Sequence, residues 1–489
     1  MNRTIRRAGT VTLLLVMALL VRLTWMQMAD GEALADSEKN RRNTIEQYAN
    51  PFGDIIVGGK PVTGSERTDG GDLRYQRTYT EGPLYAPVTG FSSQVRGSTQ
   101  LEGIYQDVLD GTSDRLKNPM DMLTGEKAKP GNVLTTIDPG VQRAGYEALG
   151  GKKGAAVAID PSSGEILGVV STPSYDPSSF SGSGKGDTEA WNRLNAQSDG
   201  DKGDDQPTLN RALRQPVPPG STFKLVVAAA ALEDGLYGSV DERTDSPDPY
   251  TLKGTSQTLE NENKAAPCED ATLREALRYS CNNVFAKLAT DLGKDKVRAQ
   301  AEKFGFNDDE QDVPVRATKS GYPEKMDEAQ TGLSGIGQYD VTATPLQMAM
   351  VTQAIAHGGE LVDPHMVSQV QDSGGGTLRS FQDADSHRVM SESNAEQLRS
   401  AMETVVEDGT GSNARIPGAT VGGKTGTAQH GVDNSGTPYA WFTSYGKSSS
   451  GKQVAVAVVV EDSDAARAEV SGNGLAAPIA KSMMEAALK

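Results

Sequence analysis

Histidine and cysteine are nearly missing from this sequence. Its 489 residues include 4 His and 2 Cys. These are His357, His365, His387, His430, Cys268 and Cys281, and no two histidines share a metal-ligand spacing such as H-E-x-x-H. A protein-built metal site is therefore not expected, and no cofactor is implied. Basic charge is also short: 48 Lys plus Arg face 65 Asp plus Glu, giving a formal net charge of −17. Gripping nucleic acid requires a basic face, so nucleic acid is not an expected partner. Hydrophobic residues still make up 36% and charged residues 23%, while 54 Gly and 24 Pro imply many turns. That composition belongs to a globular chain of two or three domains, neither disordered nor multiply membrane-spanning.

Long apolar runs are lacking too, with one exception. Arg3, Arg6 and Arg7 precede an apolar stretch from Ala8 to Val21, which resumes after Arg22 as far as Met28. A basic flank followed by about 20 apolar positions reads as a single membrane anchor with its N-terminus inside. Arg22 must snorkel outward, and Trp25 suits the outer interface. Ala33-Leu34-Ala35 has the form of a signal-peptidase site, but it lies well past the apolar core. Either way, residues from about 30 onward are exported, and a disulfide is permitted there.

Three stretches are expected from local pattern. Residues 1–29 form the cytoplasmic tip and anchor, 30–134 a smaller spacer or interaction module, and 135–489 a larger domain that carries the chemical motifs. Ala33 to Tyr48 is polar and compatible with helix, and Asn50 to Gly59 turns into a short strand. Pro139 to Leu149 reads as a helix, and Ala155–Ile159 with Ile166–Val170 as a hairpin around Asp160-Pro161-Ser162-Ser163-Gly164. Ser178 to Pro207, rich in Gly, Ser and Asp, reads as a surface loop. A buried helix is expected from near Ser221, strands at Tyr439–Tyr445 and Gln453–Val460, and a last helix from about Ala476. Strands on both sides of a helical middle, with a terminal helix returning to the sheet, indicate an α+β or α/β layer, of which α+β is the class expected once the motifs below are considered.

The sharpest chemical candidate is Ser221-Thr222-Phe223-Lys224 after Pro218-Pro219-Gly220. Three residues apart on a helix, the amine and the hydroxyl share a face, and burial can depress the lysine until it acts as a base. The pattern is cheap, with on the order of one or two matches expected in such a chain. It recurs at Ser444-Tyr445-Gly446-Lys447 and Ser449-Ser450-Gly451-Lys452, beside a strand turn where both residue types are ordinarily solvated. Ser280-Cys281-Asn282 could relay a proton and hold a substrate amide, although a helix cap is the plainer reading for it and for Ser471-Gly472-Asn473. Lys424-Thr425-Gly426-Thr427 combines an ammonium, two hydroxyls and a glycine that lets another backbone approach. Lys319-Ser320-Gly321 is similar but runs into Tyr322-Pro323, which disfavours a pairing strand.

S-x-x-K, S-x-N and K-T-G in this order resemble the penicillin-recognising serine transferases and hydrolases. More narrowly, the chain resembles the class B penicillin-binding proteins, of the actinobacterial A type. The likeness extends to Asn40-Arg41-Arg42, Gly53-Asp54-Ile55, the Asp160–Ile166 hairpin, Asn210-Arg211-Ala212 and Gly335-Ile336-Gly337-Gln338 before Thr344-Pro345. The resemblance implies an antiparallel sheet between helical layers, an N-terminal pedestal resembling a dimerisation domain, and a D,D-transpeptidase that cross-links peptidoglycan stem peptides. It further implies Ser221 as nucleophile, Lys224 as its base, Ser280 as the proton relay to the leaving amine, Lys424 as the charge that keeps this relay poised, and Asn282 on the donor amide. Thr425, Gly426 and Thr427 would receive the terminal carboxylate of a stem peptide or a β-lactam, with Ser221 and Thr427 N–H as the oxyanion hole. A membrane glycan polymerase is the implied partner. A β-lactamase or carboxypeptidase of the same superfamily needs fast water attack on the acyl-enzyme, and a β-lactam sensor usually carries further membrane helices. The anchor and long pedestal favour the transpeptidase. Within the middle motif, Cys281 and Cys268 either form a disulfide that fixes the Ser280 loop or remain two buried thiols.

Overall fold

A computed structural model of the chain describes residues 3–29, 41–116, 128–196, 206–381, 384–431, 435–463, 465, 467 and 470–489. Arg3–Ala29 form one helix, α1, of 27 residues with no buried side chain. At about 1.5 Å per residue it is about 40 Å long, enough to cross a bilayer. Thr10, Thr12 and Thr24 donate their hydroxyls to carbonyls one turn back, so these groups need no water. Of the polar stretch before Tyr48, Arg41–Gln47 is helical. Residues 30–40, including Ala33-Leu34-Ala35, lie outside the described residues.

β1 (Ile55–Val57) returns through Gly58 and Gly59 into β2 (Lys60–Pro61) and runs parallel to β3 (Asn132–Thr135). β3 in turn pairs antiparallel with Val367–Gln371, which pairs with Thr377–Ser380. The N-terminal region and the larger C-terminal body thus share a five-stranded sheet, and the expected division after residue 134 falls inside β3. At the heart of this region Arg77 is fully buried. It donates to Glu102 Oε1 at 2.7 Å, to Gly53 O at 2.6 Å and to Thr63 Oγ1 at 3.0 Å. Either charge alone would be costly at such burial, so each requires the other.

The C-terminal body opens with α2 (Pro139–Leu149), started by Pro139 at its first position and by Asp138 Oδ1 accepting from Gly140 and Val141 N–H. β4 (Lys153–Ile159) and β5 (Ile166–Thr172) form the expected hairpin, with Asp160 Oδ1 accepting from Ser162 N in the turn. The stretch read as a loop contains instead helix α3 (Lys185–Ala196). Asp187 secures its start by accepting from Gly182 and Gly184 N–H, and Trp191 packs edge-on against Phe180 and Phe91 at 5.1 and 5.6 Å. Local composition hid a helix that long-range aromatic packing stabilises. Residues 197–205 of that stretch lie outside the described residues.

Next come α4 (Lys224–Glu233), α5 (Leu273–Tyr279), α6 (Asn282–Leu292), α7 (Pro345–Ala356) and α8 (Glu392–Asp408). They are followed by β6 (Ala419–Ala428), β7 (Tyr439–Ser448), β8 (Gln453–Asp462) and α9 (Ala477–Ala487). The main sheet has the order β6-β7-β8-β4-β5, antiparallel throughout, with β6 at its edge. Val454, Val456 and Val458 of β8 face a core completed by Val141 of α2 and Met483 of α9. Ala457 and Val459 face the other core, with α4 and α7. Helices cover both faces, which is why β8 is apolar at nearly every position. This is the expected α+β arrangement.

Candidate active site

The segment leading to Ser221 is tied at several points. Arg211 N donates to Ser171 Oγ at 3.0 Å, Val217 bridges to Ala343, and Gly220 N donates to Gly337 O at 3.0 Å. The indole Nε1 of Trp441 on β7 donates to Pro218 O at 2.8 Å. Gly220 has φ +52°, and a β-carbon there would lie 3.1 Å from Thr427 O and from the Ala428 side chain. Glycine thus allows both the left-handed turn and the close approach to β6. Gly220–Phe223 form a tight 3-10 turn, and the α-helix proper begins at Lys224, one turn later than the expected start. Ser221 keeps 8% exposure, whereas Lys224 and Lys424 have none.

Ser280 lies between α5 and α6 with φ +61°, in the left-handed region where a non-glycine residue is strained. Its hydroxyl sits between the two lysines: Lys424 Nζ donates to Ser280 Oγ at 2.9 Å, and Lys224 Nζ lies 3.3 Å from the same oxygen. Lys224 Nζ also donates to Ser280 O at 2.7 Å and Asn282 Oδ1 at 2.8 Å, and Lys424 Nζ to Thr425 O at 2.8 Å. Burial pushes the Lys424 amine down to about 7, opposed weakly by the Glu262 carboxylate. Lys224 is held well below the usual lysine range, first by burial and then by the Lys424 charge. The helix that supplies this burial is Leu, Val and Ala from 225 to 232, all buried.

The Ser280 loop is itself restrained. Cys268 and Cys281 form a disulfide, with Cα atoms 5.6 Å apart. Asn261 Oδ1 accepts from Asn282 N at 2.6 Å and Asn283 N at 3.3 Å, capping α6. Asn283 Nδ2 donates to Cys268 O at 2.8 Å. On β6, Thr425 Oγ1 donates to Thr410 Oγ1 at 2.9 Å, just beyond α8. β6 is a sheet edge, so an extended peptide can lie against it.

The chain was compared with known proteins. The penicillin binding protein transpeptidase domain matches residues 154–485, and the penicillin binding protein A dimerisation domain matches residues 53–133. The chain belongs to the penicillin-binding protein transpeptidases. Peptidoglycan D,D-transpeptidase PbpA of Mycobacterium tuberculosis is 36% identical, covering 100% of this chain and 99% of that protein. PbpA of Mycolicibacterium smegmatis is also 36% identical, with the same coverage of both chains. The imipenem acyl-enzyme complex of M. tuberculosis penicillin-binding protein A superposes with a TM-score of 0.81 at 36% identity, covering 91% of this chain and 100% of that one. The penicillin G acyl-enzyme complex gives 0.80 at 36% identity, covering 90% of this chain and 100% of that one.

In this penicillin-binding protein the other motif matches fall away from the lysine pair. Ser444 is not the solvated turn residue its surroundings suggested: it is fully buried on β7. Its hydroxyl approaches Met484 of α9, on the sheet face opposite the Ser221 layer. Ser449 is exposed in the β7–β8 turn. Ser471 Oγ accepts from Gly474 N and Asn473 Oδ1 from Asn413 N, both local structural roles. Lys319 pairs with Asp309 at 2.9 Å. Thr410 and Asn261 touch the site through Thr425 and Asn282, and neither stands in a motif. The flanking Gly409 and Gly411 were the only local cue to the first.

Proposed function

We propose that the cluster around Ser221 performs a two-step acyl transfer between peptidoglycan stem peptides, the chain being a serine D,D-transpeptidase that β-lactams acylate. Neutral Lys224 takes the Ser221 hydroxyl proton as Oγ attacks the carbonyl of the penultimate D-alanine. The N–H groups of Ser221 and Thr427 receive the oxyanion. The proton passes from Lys224 through Ser280 to the leaving amine, and the terminal D-alanine departs. An amine of a neighbouring stem then enters, gives up its proton by the reverse route and forms the cross-link. Asn282 holds the donor amide, Thr425 and Thr427 its carboxylate, with Gly426 leaving room between them. The observation that carries this assignment is one hydroxyl, Ser280 Oγ, within 3.3 Å of both buried amines, one of which lies three residues from Ser221.

The same reading makes α1 the anchor, with the body outside the cytoplasm, since Arg3, Arg6 and Arg7 lie at its N-terminal end. It divides the chain into anchor, pedestal from 30 to 134 and transpeptidase domain from 135 to 489. A membrane glycan polymerase would supply the strands to be cross-linked, because the chemistry above polymerises no sugar. Fluorescent penicillin labelling tests the nucleophile: wild type and Ser444→Ala label, Ser221→Ala does not. Labelling of Ser221→Ala would remove Ser221 from its role.

A further inference from the structure

The two N–H groups placed in the oxyanion hole come from different segments, Ser221 from the 3-10 turn and Thr427 from β6. Their separation depends on whatever holds those segments together, and Trp441 holds both. Its backbone on β7 is paired directly opposite Gly426, the neighbour of Thr427. Its indole N–H reaches across to Pro218 O at 2.8 Å, three residues before Ser221. The side chain is fully buried, and it is the largest to be so among the described residues.

Glycines on either side leave the post little play. A β-carbon at Gly426 would stand 2.9 Å from Pro219 O and 3.0 Å from Thr222 Cγ2 and Trp441 Cβ. Behind the strand, a β-carbon at Gly472 would stand 2.1 Å from Trp441 O and 2.9 Å from Gly426 O. The strand is thus pinned between the nucleophile turn and Gly472, which opens the Gly472–Ala476 turn leading into α9, and the indole bond is a polar link across the front.

We propose that Trp441 is a positioning residue for the oxyanion hole, its indole N–H setting the distance between the Ser221 and Thr427 donors. This rests on the assignment of those two donors made above. Trp441 touches no substrate atom, so its effect is on geometry. An acyl carbonyl polarised by two well-aimed donors has a weakened C=O bond, and moving one donor off target strengthens it.

The test compares Trp441→Phe with replacement of Trp441 by 3-benzothienylalanine, which keeps the fused-ring shape but has sulfur where the N–H was. Penicillin acylation is resolved into its binding constant and its acylation rate constant, and the acyl carbonyl band is read by infrared difference spectroscopy. In both variants the rate constant is expected to fall about 10- to 100-fold, with binding changed less than about threefold. The carbonyl band is expected to move to higher wavenumber. An unchanged rate and band in the benzothienylalanine protein overturns the proposal, as does a loss confined to Trp441→Phe, which would trace the effect to packing. The benzothienylalanine protein decides alone if Trp441→Phe does not fold. Ser221→Ala separates the two levels: loss of labelling with an unmoved carbonyl band in the Trp441 variants rejects the Trp441 role alone, whereas persistent labelling rejects the site assignment beneath it.

Discussion

Two buried amines that share the Ser280 hydroxyl cannot both remain charged without strong repulsion, and the structure gives them unequal environments. Lys424 contributes part of the depression of Lys224, so Lys424→Ala should let the Lys224 pKa rise. The acid limb of residual penicillin acylation should then move to higher pH; an unmoved limb would mean Lys424 exerts no such field. Stability should carry the opposite mark of the same burial. Lys424 titrates near 7 in the fold against 10.5 when free, so between those values the unfolded chain holds a proton the folded one lacks. Stability contributed through this group therefore rises with pH across that window, and the penalty is full below about 7. Lys424→Met should unfold at higher urea than wild type below pH about 7, with the margin shrinking towards pH about 10. At this scale the cluster that the structure assembles from Lys224, Lys424 and the turn bearing Ser221 was legible because S-x-x-K and K-T-G are short, local patterns. Thr410 and Asn261 were not, because each reaches the site through a contact between segments distant in sequence, and their own neighbourhoods read as ordinary loop.

The Ser280 loop shows how an element is held ready at a strained backbone angle. A capping box at Thr272 and Glu275 starts α5, Asn261 caps α6, and the Cys268–Cys281 bond closes the intervening chain. With 13 residues of separation, loop-closure arguments give the bond about 3 kcal/mol. Reductant should lower the melting temperature of wild type and slow its acylation, while leaving a Cys268→Ser, Cys281→Ser protein unchanged in both. No effect on wild type would mean that the other restraints suffice. Elements with a strong local period were readable in advance, as at α2 and the β4–β5 hairpin, where cap, turn and apolar alternation agree. α3 was misread because Gly, Ser and Asp dominate its surroundings, and the Phe91 and Phe180 rings that fix Trp191 come from elsewhere in the chain.

Across the whole molecule, the pedestal is organised by an ion pair and joined to the catalytic body by a sheet. Arg77 and Glu102 are almost wholly buried, so Glu102→Ala strands a guanidinium without its charge partner and should cost about 3–5 kcal/mol in urea unfolding. Glu102→Ala together with Arg77→Met should recover part of that loss; no recovery would assign the damage to packing. The shared sheet could not be foreseen, because Val367–Gln371 lies more than 200 residues from β3 and nothing in either stretch names its partner. Its geometry has a mechanical side. Under the function proposed above, the acyl-enzyme would be a link in series between bilayer and wall, held by α1 at one end and by the Ser221 ester at the other. Tension enters β1 at Ile55 and leaves β3 at Thr135, opposite ends of two parallel strands. The pair would therefore be loaded in shear, its hydrogen bonds straining together and not peeling open one after another, so that the last strand pair of the pedestal would bear the pull of a moving wall.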